Sequence, residues 1–432
     1  MKSMCRFILA PALAYLFTAN APAQDSELLN RVRAMEERIK SLEAEVQALK
    51  GNNAAAAAPA APAAAAATPP PAPVQQAPQE AAAPQLGGAG GAAAKALNPD
   101  ISVIGDFVGG IGNHANRPTP ALEMHESEVG FQEIIDPYAR ADFFISFGEQ
   151  GVNLEEGYLT FTALPAGLQL RAGKMRAAFG KVNTTHNHVL PWVDRPLVSQ
   201  NLVGGEDGID DAGLSLSRIL PSPKGLFLEA TGQVFRGDSE NVFASTRRSE
   251  VSTVGHLRGY SDINESTNID LGVSYARGHS PFVDAWNQLW GADATIRWKP
   301  LRRSIYHSFT GRGEWIWART STPNGRVKPF GFYVSGDYQV GRRWFLGGRF
   351  DRSQRGQCLP VNPETVPACV DLPLRPGLVQ DTGGSLLLTY WPSEFSQIRG
   401  QLRRTQYGEG RTANELIFQL IFSMGAHGAH PF

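Results

Sequence analysis

Residues 181–209 (KVNTTHNHVLPWVDRPLVSQNLVGGEDGI) hold the side chains of this chain best able to do chemistry together. His186 and His188 flank a single residue, so a locally extended backbone would set both imidazoles on one face. Asp194, Arg195, Glu206 and Asp207 follow in the same stretch. Such a set has two chemical uses. Imidazoles with carboxylates bind a divalent metal, but a zinc site needs three or four converging ligands, and His186 and His188 supply only part of one. Charges of both signs on a loop beside water select ions and orient dipolar solutes. His427 and His430 form a second histidine pair near the end of the chain.

Enzyme chemistry finds little to build on. The sequence has no G-x-S-x-G, H-E-x-x-H, C-x-x-C or P-loop pattern. Gly408, Gly410 and Ala413 match G-x-G-x-x-A, but a strand pattern follows where a dinucleotide site requires a helix. No cofactor is implied, and the expectation is a protein that is not an enzyme. A net charge of -1 gives no global field for nucleic acid.

The elements that position the loop are strands. No apolar run reaches the ~18 residues of a spanning helix, so a membrane crossing would be made by strands. From Asp100 onward about sixteen runs alternate with period two, each closed by turn residues. They lie near 100–113, 122–136, 138–149, 151–164, 168–180, 211–221, 226–238, 253–265, 267–279, 287–299, 305–321, 327–341, 343–355, 380–392, 396–408 and 412–425. Turns on one side are tight, as at Asp136-Pro137 and Gly341-Arg342-Arg343. Connections on the other side are mostly longer: 114–121, 181–210, 239–252, 280–286 and 356–379. Short turns on one rim and long loops on the other predict a transmembrane antiparallel β-barrel. Tryptophans near strand ends (Trp298, Trp344 and Trp391; Trp290 and Trp317) suit two interfacial girdles.

Alternation then assigns one face of each strand to lipid and the other to water. The water-facing residues of the lumen wall are expected to include Arg140, Arg171, Arg297, Arg312, Arg349, Arg399 and Arg403. Asp142, Glu156, Asp293 and Glu314, with Glu229, Asp270, Asp337 and Asp351, supply the opposite sign. In this frame residues 181–209 fold into the barrel mouth and narrow a pore. The constriction is set by His186, His188, Asp194, Arg195, Glu206 and Asp207, with metal binding at His186 and His188 as an alternative.

The first 97 residues are organised differently. Residues 1–23 read as a secretory signal: Lys2 and Arg6, an apolar run, and a small-residue site at Ala21-Pro22-Ala23. In 24–50, Leu28, Val32, Met35, Ile39, Leu42, Val46 and Leu49 make a coiled-coil seam that should self-associate. Residues 51–97 are an Ala/Pro-rich spacer, and 98–432 the barrel. Cys358 and Cys369 lie in one polar loop and suit a disulfide in an oxidising compartment.

Signal, coiled coil, spacer and strands together resemble trimeric bacterial porins of the phosphate-selective and dicarboxylate-specific kind. At motif level the resemblance rests on RAGKMRAAFGKVN, HNHVLPWVDRPL and GGEDGIDDAG, a strand–loop–strand with the third long loop turned inward. The final strand, alternating Leu416, Phe418, Leu420, Phe422 and Met424 before the terminal Phe432, looks like the signal read by the barrel assembly machinery. GAHGAHP separates that strand from the Phe. The resemblance implies an outer-membrane homotrimer in lipid and lipopolysaccharide that passes small hydrophilic solutes, and the near-balanced charges of the lumen wall lean slightly towards anions. The coiled coil would then lie in the periplasm, placed either to clamp the trimer or to reach peptidoglycan. The alternatives are a zinc-binding or zinc-uptake barrel and a structural tether from membrane to cell wall.

Overall fold

The computed structural model describes residue 40 and residues 99–113, 121–148, 151–239, 242–323, 325–356 and 378–425. The expected signal segment, the spacer and, apart from Lys40, the coiled coil lie outside the described residues, as do Cys358, Cys369, His427, His430 and Phe432.

Seventeen strands follow in chain order: β1 (Asp100–Asn113), β2 (Leu122–Asp136), β3 (Ala139–Gly148), β4 (Gly151–Phe161), β5 (Leu168–Arg176), β6 (Asp210–Ile219), β7 (Leu226–Phe235), β8 (Ser252–Asn264) and β9 (Thr267–His279). Then come β10 (Trp286–Trp298), β11 (Phe309–Thr322), β12 (Gly325–Val327), β13 (Phe330–Gly341), β14 (Trp344–Gly356), β15 (Leu378–Ser393), β16 (Ser396–Gln406) and β17 (Thr412–Gly425). Each wall strand pairs antiparallel with its sequence neighbour, and β1 also pairs with β17, so the sheet closes and has no edge. The three-residue β12 pairs only with the end of β11, leaving sixteen strands in the wall of an all-β barrel.

Several boundaries differ from expectation by three or four residues, and two of them have a visible cause. β5 stops at Arg176 rather than Gly180, because Ala177 already hydrogen-bonds to Ile209 at the neck of the long loop. β13 begins at Phe330, since Val327 belongs to β12.

Alternation decides the two faces. On β17, Leu416, Phe418, Leu420, Phe422 and Met424 are exposed on the outside, while Ile417, Gln419, Ile421 and Ser423 are buried on the inside. Leu214, Leu216, Leu386, Leu388 and Leu402 extend the apolar exterior. An apolar surface of this extent is one that lipid covers. Trp344 stacks on Tyr390 at the tight-turn rim (4.4 Å), and Trp317 meets Phe330 towards the other rim (5.2 Å).

The interior is not uniformly polar, contrary to a strict reading of the alternation. Phe235, Val254, Ala276, Leu289, Ile316, Tyr333 and Leu387 come from the wall and pack in one cluster with Val182, Leu190, Trp192, Val198, Leu202 and Val203 of residues 177–209. The loop carries its own apolar face into the barrel, and wall positions opposite it are apolar because they meet side chains rather than water.

Candidate functional site

Residues 177–209 join β5 to β6 and turn into the barrel. Three features close the neck. Ala177 N donates to Ile209 O (2.8 Å), and Asn183 Nδ2 donates to both Ala177 O (2.9 Å) and Ile209 O (3.0 Å). Ile209 N returns a bond to Asn183 Oδ1 (2.8 Å). At Gly180 the backbone is left-handed (φ 62°), and a Cβ there would collide with Glu314 Oε1, so only glycine fits. Arg195 is buried and binds the loop to itself, donating to Asn187 Oδ1 (2.8 Å), Val182 O (3.0 Å) and Thr185 O (2.7 Å).

The far part of the loop contains a short helix, α1 (Leu197–Leu202), which a six-residue segment between prolines and glycines does not announce by period. It packs against β11, β13, β14 and β15. Val198 is fully buried over Gly331, where a Cβ would come within 2.8 Å of Val198 Cγ2. Trp192 meets Tyr333 edge-on at 5.0 Å and lies under the Arg349 guanidinium, also at 5.0 Å.

Charge fastens both sides of the loop. Asp194 Oδ2 accepts from Arg349 Nη2 (2.9 Å) and Arg403 Nη1 (2.6 Å), while its backbone carbonyl accepts from Arg349 Nη1 (2.7 Å). Burial would raise the Asp194 pKa, but the two guanidiniums outweigh it and hold the carboxylate well below its usual range. Asp351 accepts from Arg349 and from the Leu197 backbone N–H (3.1 Å), and Glu415 accepts from Arg403.

On the opposite side, His186 Nδ1 lies 2.6 Å from Glu128 Oε2 and 3.1 Å from Glu155 Oε2, and Nε2 lies 2.7 Å from Glu156 Oε1. Both ring nitrogens face carboxylates, the arrangement of an imidazolium. Burial alone would lower its pKa, and the three carboxylates reverse that and hold it well above the ordinary range. His188 is buried beside it, with ring centroids 5.7 Å apart, and burial holds its pKa below the ordinary value.

Of the residues expected at a constriction, His186, His188 and Asp194 therefore touch or approach the wall, and Arg195 turns back on the loop. Glu206 and Asp207 sit at its return, where their carbonyls accept from Arg176 Nη1 (3.1 and 2.9 Å). Several of the expected wall residues have partners on their own or neighbouring strands. Arg140 donates to Asp142, Arg312 to Asp337, Arg399 to Gln419, and Arg171 lies over the Tyr158 ring. Arg297 lies 4.0 Å from Asp270, to which Lys181 also binds. Glu156 is committed to His186 and the backbone of Arg176. Glu314 accepts from Lys181 N (3.2 Å), whereas neither oxygen of Asp293 has a partner.

Three acids at the site escape the sequence reading. Glu126 and Glu128 form an i, i+2 polar pair on β2, a signal the alternation did contain. Glu155 was not legible: a β-bulge opposite Phe144 and Ile145 inserts it beside Glu156, so two consecutive residues both reach inside.

No protein-family model matches the chain. A protein of Aquifex aeolicus, described only as uncharacterized, is 28% identical over 403 residues, covering 78% of this chain and 81% of that one. Among solved structures, the chain is similar to an anion-selective porin from Comamonas acidovorans (TM-score 0.51, 10% identity, 75% of this chain and 98% of that one). It is similar also to Pseudomonas putida OprB (TM-score 0.51, 10% identity, 76% and 94%) and to the trimer form of OmpT, an outer membrane protein of Vibrio cholerae (TM-score 0.50, 8% identity, 75% and 98%). Closed, sixteen-stranded and apolar outside, the chain has the fold of the bacterial outer-membrane porins.

Proposed function

We propose that this protein is a passive outer-membrane porin: a water-filled channel for small hydrophilic solutes, narrowed by residues 177–209. The observation that carries the reading is the clamp of Asp194 by Arg349 and Arg403, which holds a loop from β5–β6 against β14 and β16 inside a closed barrel. A free loop at the rim would not need it. Asp194, His186 and His188 lie on the segment that sets the bore, and the wall arginines line the path beside it.

A slight preference for anions follows from which charges meet water. The side chains of Arg140 and Arg297 are 47% and 45% exposed, while those of their partners Asp142 and Asp270 are 6% and 0% exposed. Water in the bore therefore meets guanidinium in front of hidden carboxylate, a positive field at short range.

The remaining assembly follows the same reading: an outer-membrane homotrimer, seated in lipid and lipopolysaccharide, inserted by the barrel assembly machinery through β17 and the tail to Phe432. Its coiled coil lies in the periplasm and can reach peptidoglycan. The trimer form of the Vibrio cholerae neighbour supports the oligomeric part.

Planar-bilayer recordings of the purified protein test the proposal. Channels that conduct in steps of three, with a larger conductance after removal of 183–207, are expected. The reversal potential should indicate weak anion preference and move towards cations in an R140A/R297A/R312A variant. No conductance with or without 183–207 would overturn the porin reading in favour of a structural tether.

A further inference from the structure

The seam between the loop and the β1–β4 wall contains more acid than the loop's docking uses. Glu126, Glu128, Glu155 and Glu156 are all buried there. Against these four stand Arg176, which donates to Glu155 Oε2 (2.9 Å), Arg195 and His186. Arg195 moreover spends its donors on the loop itself.

Two side chains in this seam lack partners. Glu126 is 6% exposed, no N–H donates to either of its carboxylate oxygens, and its polar neighbours are the carboxylates of Glu128 and Glu155. His188, also 6% exposed, has an unpartnered Nδ1 that lies 3.9 Å from Glu128 Oε2. Buried polar atoms without protein partners are rare in folded proteins, and such atoms are suited to holding water or an ion. The donors are also correctly grouped: one atom each from Glu128, His186 and His188 lie within 4.8 Å of one another, and so do one each from Glu126, Glu128 and Glu155. Glu128 belongs to both sets.

We propose that Glu128, His186 and His188, completed by Glu126, bind one divalent cation of the zinc class at this seam. Two imidazoles with carboxylates select zinc, cobalt or nickel over calcium and magnesium, which take oxygen ligands. The ion would bridge loop and wall on the near side, as Arg349 and Arg403 do on the far side. Binding here does not require that the barrel conduct, so loss of one reading leaves the other standing.

The test uses untagged full-length protein in detergent, stripped with chelator and titrated with Co2+, with Zn2+ as competitor. One Co2+ per chain with the d–d absorption of a nitrogen- and oxygen-ligated ion, displaced by Zn2+ and not by Mg2+, is expected. H188A and E126Q should each weaken binding by about tenfold or more, with heat-modifiable gel mobility confirming that the barrels are folded. A second triad, Glu250, His279 and Asp284, lies where β9 meets the long-loop rim and provides the control. No retained Co2+ in the wild type, unchanged binding in folded H188A and E126Q, or loss of binding in H279A alone would each overturn the assignment.

Discussion

The loop meets two walls of opposite character. Towards β14 and β16 it offers an aspartate to arginines, and the charges there are matched: Asp194 takes Arg349 and Arg403, which also hold Asp351 and Glu415. Towards β2 and β4 it offers a histidine to glutamates, and the account does not balance, because Glu126 and His188 keep unpartnered atoms. A saturated network of buried charge can only hold. An unsaturated one can still take a ligand. The same segment therefore has a structural side and a side with binding capacity, set by which wall it faces.

The largest expected effect comes from breaking the saturated side. D194A removes the carboxylate shared by Arg349 and Arg403, leaves each with a single acid (Asp351, Glu415), and should cost about 3 kcal/mol or more of loop docking. Limited proteolysis should then cut within 183–207 while the barrel core stays intact, and conductance noise should rise. A D194A loop as resistant as wild type would mean that the apolar packing of Trp192 and Val198 holds it unaided.

The acidic side should respond less. E156Q removes one charged partner from His186 but leaves Glu128 and Glu155 in place, for a loss of about 1.5–3 kcal/mol at most. Its proteolytic profile should lie between those of wild type and D194A. Equal effects would erase the difference between the walls.

Packing gives a third comparison. G331A sets a methyl against Val198 and should cost about 1–3 kcal/mol, read as weaker protection of α1 in hydrogen exchange. Gly384, which has open space around it, should accept Ala without such an effect.

The smallest effect expected is that of mild acid on the far anchor. Because Asp194 is held below its ordinary pKa, its contribution is complete above that ordinary value and is lost only as pH falls through the depressed one. Trp192 fluorescence, taken as the difference from W192F, should stay flat from neutral pH to about pH 4. A transition near pH 4 or above would mean that Arg349 and Arg403 do not hold the carboxylate ionised.

Much of the wall was legible from residue types alone. Arg399, Gln401, Arg403 and Thr405 on β16, or Leu416, Phe418 and Leu420 on β17, declare their faces by alternation. Each position is sorted by the solvent on its own side, which is a local property. The long segment 181–209 was visible for the converse reason, as a stretch with no period between two strands that have one. Glu155 was hidden because one bulged residue defeats a period of two. The helix α1 was hidden because six residues are too few to show a face.

The sequence by itself thus determined an antiparallel barrel of about sixteen strands, its inward and outward sides, and the loop that interrupts it. Only the tertiary structure decided that Asp194 meets Arg403, 209 residues away, that His186 meets Glu128, and that the lumen carries an apolar cluster. The reason is geometric. Strand identity is set by neighbours two residues apart, but closure of the sheet sets which strands face each other across the lumen. No residue pattern along the chain encodes that distance.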